Sequence, residues 1–296
     1  MTLTPANHRG FEALLAWYFV SVWGSGFLAT KIGLHYAAPF TFLTLRFLFG
    51  IACLIPIVWL THAPWPATRR DFMHVVVAGL LMHAVHLGGS HYTQYLGVSA
   101  GIAAVLLSVQ PVLTALIAAR WMGERLEPRQ WLGIALGLAG VLLVVWHKID
   151  VREMTVASLL AVIVSLLGVT AGTLYQRVFC PRVDLRSSAL VQFAVAAVTL
   201  APLALLVEGF VVKWAWQMFA SIAFLVIGAS ILAVNALHTL MRRGAATRVT
   251  SLLYLTPIFA VVLEFMMFDI VPGALSAAGM AVTCAGVALV TWTRRR

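Results

Sequence analysis

Apolar runs of about 20 residues, separated by short polar stretches, repeat along this chain from end to end. They lie near residues 12–31, 38–60, 72–95, 98–119, 130–147, 154–176, 187–207, 216–240, 247–268 and 273–292. A helix of that length crosses the ~30 Å hydrocarbon core of a bilayer. Backbone polar groups in lipid must be satisfied within the segment, and the runs are too continuous for the ~10-residue alternating strands of a membrane barrel. The pattern therefore predicts ten transmembrane helices. The first run lacks a small-residue cleavage site and is expected to be a retained span. The connections Thr61 to Asp71 and Cys180 to Ser188 are too short to fold by themselves.

A shift of 146 residues lays the chain on itself: Gly26 meets Gly172, Phe47 meets Phe193, Pro111 meets Pro257, Gly133 meets Gly279 and Gly140 meets Gly286. The chain is a duplication, with copies over 1–149 and 150–296 joined by the polar stretch His147 to Arg152. Each copy carries five spans, and five is odd, so the second copy is expected to enter the bilayer from the opposite side. The expected fold is an all-α membrane protein of ten transmembrane helices, arranged as two inverted five-helix repeats in one membrane domain. Inverted repeats recur in secondary transporters, where one half rocks against the other around a central site.

Composition supports the membrane reading: 62% of residues are hydrophobic, 10% are charged and the mean hydropathy is +0.97, against about a quarter charged in soluble domains. The basic residues fix the expected orientation. With a cytoplasmic N-terminus, that side holds Arg9, Arg69, Arg70, Arg120, Arg125, Arg129, Arg177, Arg182, Arg186, Arg242, Arg243, Arg248 and Arg294 to Arg296, and the other holds only Lys31, Lys148, Arg152 and Lys213. The positive-inside rule then places both termini in the cytoplasm. The formal charge of +10 is thus dispersed over loop ends as a topology signal, and no nucleic-acid partner is expected. Eight tryptophans fall near span ends, at the depth of the lipid headgroups, whereas Trp17 and Trp23 sit deeper in the first span. Cys53, Cys180 and Cys284 are dispersed and give neither a disulfide framework nor a zinc spacing. No cofactor or oligomeric partner is called for.

Polar side chains inside spans are costly and mark pathways or helix contacts. In the third span His83, His86, Ser90 and Gln94 follow at three, four and four residues, which places them on one helical face. Their counterparts, Ala229, Leu232, Ala236 and Leu240, are apolar, so recognition is expected chiefly from the first copy. Hydrogen bonding between helices without a ligand is the alternative. The histidine pair has no carboxylate or thiolate beside it, so no metal is expected. Pro111 and Pro257 lie at matched places, each inside a span expected to be otherwise unbroken. Matched interruptions are a pointer to a transporter's binding region, although they also serve as packing kinks. Gly88 and Gly89 provide either a hinge or close helix approach. Away from the first and last two residues of each run, Arg46 and Glu264 are the charges within spans. So few buried cations suit a small neutral or zwitterionic solute better than a phosphorylated one.

Several segments carry a family resemblance: Trp23-Gly24-Ser25-Gly26-Phe27, then Pro39 through Thr41 to Leu45-Arg46-Phe47, then Gly123-Glu124-Arg125-Leu126 with Gln130-Trp131-Leu132-Gly133 and Gly140. With the matched prolines, they make the chain resemble the drug/metabolite transporter superfamily, in its ten-helix EamA-type branch. Within that branch it looks most like exporters of aromatic amino acids. The resemblance implies efflux of amino acids, aromatic ones included, across a bacterial inner membrane by alternating access. It also implies that the fifth and tenth spans brace the fold through Gly133, Gly137 and Gly140 against Gly279 and Gly286, and that Arg46 is structural. A cavity on this reading joins Trp17, Trp23 and Ser25 to the third-span stripe, with Gln110, Tyr175, Asn235 and Tyr254 from other helices. Export of another neutral metabolite, such as a nucleoside or a drug, would use the same stacking and amide groups. A pore or scramblase fits the matched prolines less well. No Gly-x-Ser-x-Gly, His-Glu-x-x-His or carboxylate pair points to an enzyme.

Overall fold

The computed structural model describes residues 5–121, 127–146, 155–233, 236, 255–268 and 273–291. Helix occupies a part of every expected span. The first two spans are α1 (Pro5–Gly33) and α2 (Pro39–Leu60). The third is α3 (Arg69–Gly79), a π-helical segment Leu80–Val85, and α4 (His86–Tyr95). The fourth is interrupted, with α5 (Ala100–Leu107) separated from α6 (Gln110–Trp121). Pro111 explains the break: its ring collides with the carbonyl four residues back, that of Leu107, where α5 stops. The fifth and sixth spans are α7 (Pro128–Trp146) and α8 (Val156–Phe179). The remaining elements are α9 (Leu185–Leu206), α10 (Trp216–Ala223) running into a π-helical segment Phe224–Ala233, α11 (Leu255–Phe268) and α12 (Ala274–Thr291). Among the described residues five helical runs are long and apolar enough to cross a membrane: Pro39–Leu60, Arg69–Tyr95, Val156–Phe179, Leu185–Leu206 and Trp216–Ala233.

By internal contacts the chain forms two compact units, and each draws on both copies. One comprises Met1–Leu28, Ala100–Val151 and Ile227–Arg296, and the other Ala29–Ser99 and Arg152–Val226. In the second unit α2 packs against its own duplicate, α9. Phe40 and Thr41 meet Glu208, the rings of Phe47 and Phe193 lie 5.3 Å apart, and Ser187 donates to the carbonyl of Pro64. Early residues of one helix thus face late residues of the other, so the two run antiparallel. Phe42, Leu43, Phe47, Val75, Met218 and Val226 fill the core around them.

The first unit repeats the arrangement with α7 against its duplicate α12. A Cβ on Gly140 would come within 2.6 Å of the Gly279 carbonyl and meet Thr283, and one on Gly286 would come within 2.6 Å of the Gly133 carbonyl and of Gly137 N. Under the 146-residue shift these contacts exchange with one another, which is the signature of a two-fold contact between antiparallel equivalents. The expected glycine-faced packing of the fifth and tenth spans is present. Small residues let backbones approach where lipid supplies no hydrophobic drive between helices.

Caps differ between the copies. Asp184 caps α9 from the residue before it, accepting from the Arg186 amide, and Arg186 closes a 2.8 Å ion pair on the same carboxylate. That side-chain bond holds the Asp184 carboxyl below its usual range. The equivalent residue before α2 is Ala38, which has nothing to offer. Glu208 takes its place from a distance, accepting from Phe40 N at 2.9 Å, Thr41 N at 2.7 Å and Thr41 Oγ1 at 2.7 Å. An antiparallel bridge between Ala37 and Val212, with Lys213 N donating to Tyr36 O at 2.7 Å, fastens the same turn.

Gly140→Leu should lower stability by ~1–3 kcal/mol or more, and Gly286→Leu should do so to a similar extent. Thermal unfolding of the detergent-solubilised protein measures both, and widely unequal shifts would mean that the contact is not reciprocal. Glu208→Ala, which strips three hydrogen bonds from one helix end, should cost ~1–3 kcal/mol in the same measurement.

Candidate functional site

The polar stripe of the third span is not one continuous face. The π-helical segment Leu80–Val85 bonds i to i+5 and so carries an extra residue in its turn. This turns His83 away from the three residues that follow. Its Nε2 donates to Gln192 Oε1 at 3.2 Å, Gln192 Nε2 donates onward to Ser188 Oγ at 2.9 Å, and the rings of Phe47 and Phe193 meet the imidazole edge-on. His83 therefore belongs to the α2–α9 interface. His86 faces α8 instead. Ser165 Oγ donates to the His86 carbonyl at 2.8 Å, which leaves that oxygen to accept from His86 Nδ1 at 2.9 Å. For these two histidines the structure shows hydrogen bonding between helices.

His83 Nδ1 is buried without a partner, and further along α4 more polar atoms stand idle. Ser90 and Gln94 are buried, and neither amide atom of Gln94 has a hydrogen-bond partner. His91, absent from the expected stripe, is 2% exposed; its Nε2 lies 3.3 Å from Thr30 Oγ1, its ring stands against Phe42, and its Nδ1 is unpartnered. His91 and Gln94 are three residues apart on one helix and so adjacent. A buried amide with idle donor and acceptor costs ~1–3 kcal/mol, so this end of α4 concentrates unmet hydrogen-bonding capacity.

The glycines of α4 divide in the same way. A Cβ on Gly89 would lie 2.7 Å from the Ala161 carbonyl, so Gly89 permits the close approach of α4 to α8. One on Gly88 would make only ordinary contacts, 3.7 Å to Leu200 and 3.8 Å to Phe40. Neither glycine has a left-handed backbone.

The other expected residues are dispersed. Tyr175 bonds His74 Nδ1 at 2.8 Å and packs on Phe179. It lies ten residues, ~15 Å of helix, from the Ser165 that meets His86, so it does not join the stripe. Ser25 donates to Ser21 O within its own helix at 2.6 Å. Trp17 is exposed, while Trp23 is half-buried beside Phe19 at 5.1 Å. Trp17, Trp23, Ser25 and Gln110 belong to one compact unit, and the α4 residues and Tyr175 to the other. Pro111 stands in the first turn of α6 rather than inside an unbroken helix, and Pro257 in the first turn described of α11. Asn235, Tyr254 and the segment Gly123 to Leu126 lie outside the described residues. Arg46 is buried within α2. Gln192 occupies the place of Arg46 in the other copy, and that coincidence of polar residues was the available signal for it. Among the described residues no three metal-ligating side chains gather.

The model of the EamA-like transporter family matches residues 10–146 and again 155–292. The chain belongs to the EamA-like transporter family of the drug/metabolite transporter superfamily. It is a multi-pass, all-helical membrane protein of about ten helices in two EamA repeats, and a secondary transporter rather than an enzyme. It is 27% identical over 254 residues to the uncharacterized inner membrane transporter YedA of Escherichia coli K12, covering 86% of this chain and 81% of that protein. The uncharacterized transporter YvbV of Bacillus subtilis is 26% identical over 84% of this chain and 81% of its own. A probable amino-acid metabolite efflux pump of E. coli K12 is 24% identical over 56% of this chain and 53% of its own. A solved crystal structure superposes with a TM-score of 0.73 at 23% identity, covering 96% of this chain and 98% of that one, a likeness of fold.

Gly88→Ala should leave the unfolding midpoint unchanged or raise it, because alanine favours helix by about 1 kcal/mol over glycine. Gly89→Ala should lower it by pushing α4 off α8. Equal effects of the two substitutions would contradict this division of roles.

Proposed function

We propose that this protein exports amino acids, aromatic ones included, across a bacterial inner membrane by alternating access through a central cavity. In this reading its two copies are inverted and both termini are cytoplasmic. Family membership supports transport, and a relative named as an inner membrane transporter supports the location. Relatives named as probable amino-acid metabolite efflux pumps support the cargo. The antiparallel pair α2–α9 and the reciprocal pair α7–α12 support inversion.

The observation that carries the assignment is the end of α4. Ser90, His91 and Gln94 are buried, and the amide of Gln94 and Nδ1 of His91 have no hydrogen-bond partner. An amide offering both roles suits the ammonium and carboxylate of a zwitterion, whereas a phosphorylated anion would call for several cations. Gln94 is assigned the polar end of the solute, with Ser90 beside it. Ser25 and Tyr175, whose hydroxyls are already engaged, and His83 and His86, paired between helices, are assigned to support.

Uptake of labelled tryptophan into proteoliposomes, with counterflow stimulation as the mark of a carrier, tests the proposal. No protein-dependent flux of any amino acid would end it, and competition by nucleosides alone would move the assignment to that class. Gln94→Leu keeps volume and removes the idle amide. It should lower flux at least tenfold while leaving stability equal or greater by about 1 kcal/mol, and unchanged flux would remove Gln94 from the solute.

A further inference from the structure

We propose that a groove at the end of α2 seats the acyl chain of an anionic phospholipid, whose phosphate meets the arginines at its mouth. The groove has a volume of about 590 Å³ and is lined by Ile55, Val58, Trp59, His62, Trp65 and, from α9, Leu190. That volume is in the range of ligand sites, ~300–1,000 Å³. Trp59 and Trp65 are 74% and 57% exposed at the helix end, where such rings settle between hydrocarbon and headgroups. The walls are apolar and open outward, which suits a chain already dissolved in the bilayer.

The rim supplies the charge. Ser187 donates to Pro64 O at 2.7 Å and so ties the turn before Trp65 to the start of α9. Arg186 is one helical turn from Leu190 on the same face, with its side chain 38% exposed. Arg69 and Arg70 follow Trp65 in the first turn of α3, and Arg182 precedes α9; all three are exposed. Of the acidic residues at this end, Asp71 closes the capping box with Thr68, and Asp184 caps α9 and pairs with Arg186. Four arginines against two engaged aspartates leave an excess of positive charge, and basic recesses between membrane helices are the usual seats of anionic headgroups.

The backbone singles out His62. It has φ +46° and closes α2 with a paired turn, in which His62 N donates to Trp59 O and Ala63 N to Val58 O. Glycine takes that left-handed conformation at no steric cost. A histidine held there presents an imidazole to the groove at the level where the phosphate would stand.

Native mass spectrometry of the full-length protein, titrated with phosphatidylglycerol or with phosphatidylcholine of the same chains, reads the proposal without reference to transport. Phosphatidylglycerol should be retained about tenfold better, since basic residues near a headgroup favour an anionic lipid. Ile55→Trp, at a residue 53% exposed, should fill the groove and reduce retention of phosphatidylglycerol. Arg69→Gln with Arg70→Gln and Arg186→Gln, at solvent-accessible side chains, should abolish the preference while leaving weak binding of both lipids. Equal retention of the two lipids by the unaltered protein, unchanged retention by Ile55→Trp, or a preference that survives the loss of the arginines, would overturn the assignment.

Discussion

Two helices that are copies of one another share an interface on a strict condition: each must offer its twin the residues it receives. The pair α7–α12 meets it, while in α2–α9 the duplicates run antiparallel with Phe47 against Phe193 but differ in their caps. In α7–α12 the condition takes its severest form, because glycine faces glycine or backbone at distances that leave no room for a Cβ. Hydrocarbon gives helices no reason to exclude lipid from one another, so such contacts must gain from dispersion and close fit. A side chain placed there forces the axes apart over the whole length of the contact.

The scaffold obeys this symmetry and the chemistry does not. Both third-position spans carry a π-helical segment at matched places, so the irregularity belongs to the ancestral repeat. What differs is the lining. Beyond the π turn α4 carries Ser90, His91 and Gln94, while the corresponding positions past Phe224–Ala233 include the apolar Ala236 and Leu240. A symmetric frame thus carries different side chains at matched positions of its two copies.

Hydropathy made the ten spans legible, because length and apolarity are properties of each segment alone. The interruption at Pro111 was legible as a position but not as a break, since a proline within an apolar run is also compatible with a kinked helix. The glycine contact of α7 with α12 was legible through spacing and the family resemblance. The stripe was not: counting residues assumes 3.6 per turn, and the π-helical segment adds one between His83 and Ser90. His91 was missed for the same reason, as it sits off the counted face yet is the most buried imidazole with an idle nitrogen. Partners such as Gln192 for His83, Ser165 for His86 and His74 for Tyr175 depend on which helices meet and at what height, and periodicity within one helix does not contain that information.

The carboxylate of Glu208 lies 168 residues downstream of the Phe40 amide that it satisfies, whereas Asp184 lies next to the helix it serves. At translation speeds of ~5–20 residues per second, α2 emerges from the ribosome roughly ten to thirty seconds before its cap exists, while α9 is born complete. The older half of the nascent chain must therefore wait in the bilayer with bare amides at one end. That helix end gains its carboxylate only when the younger half arrives.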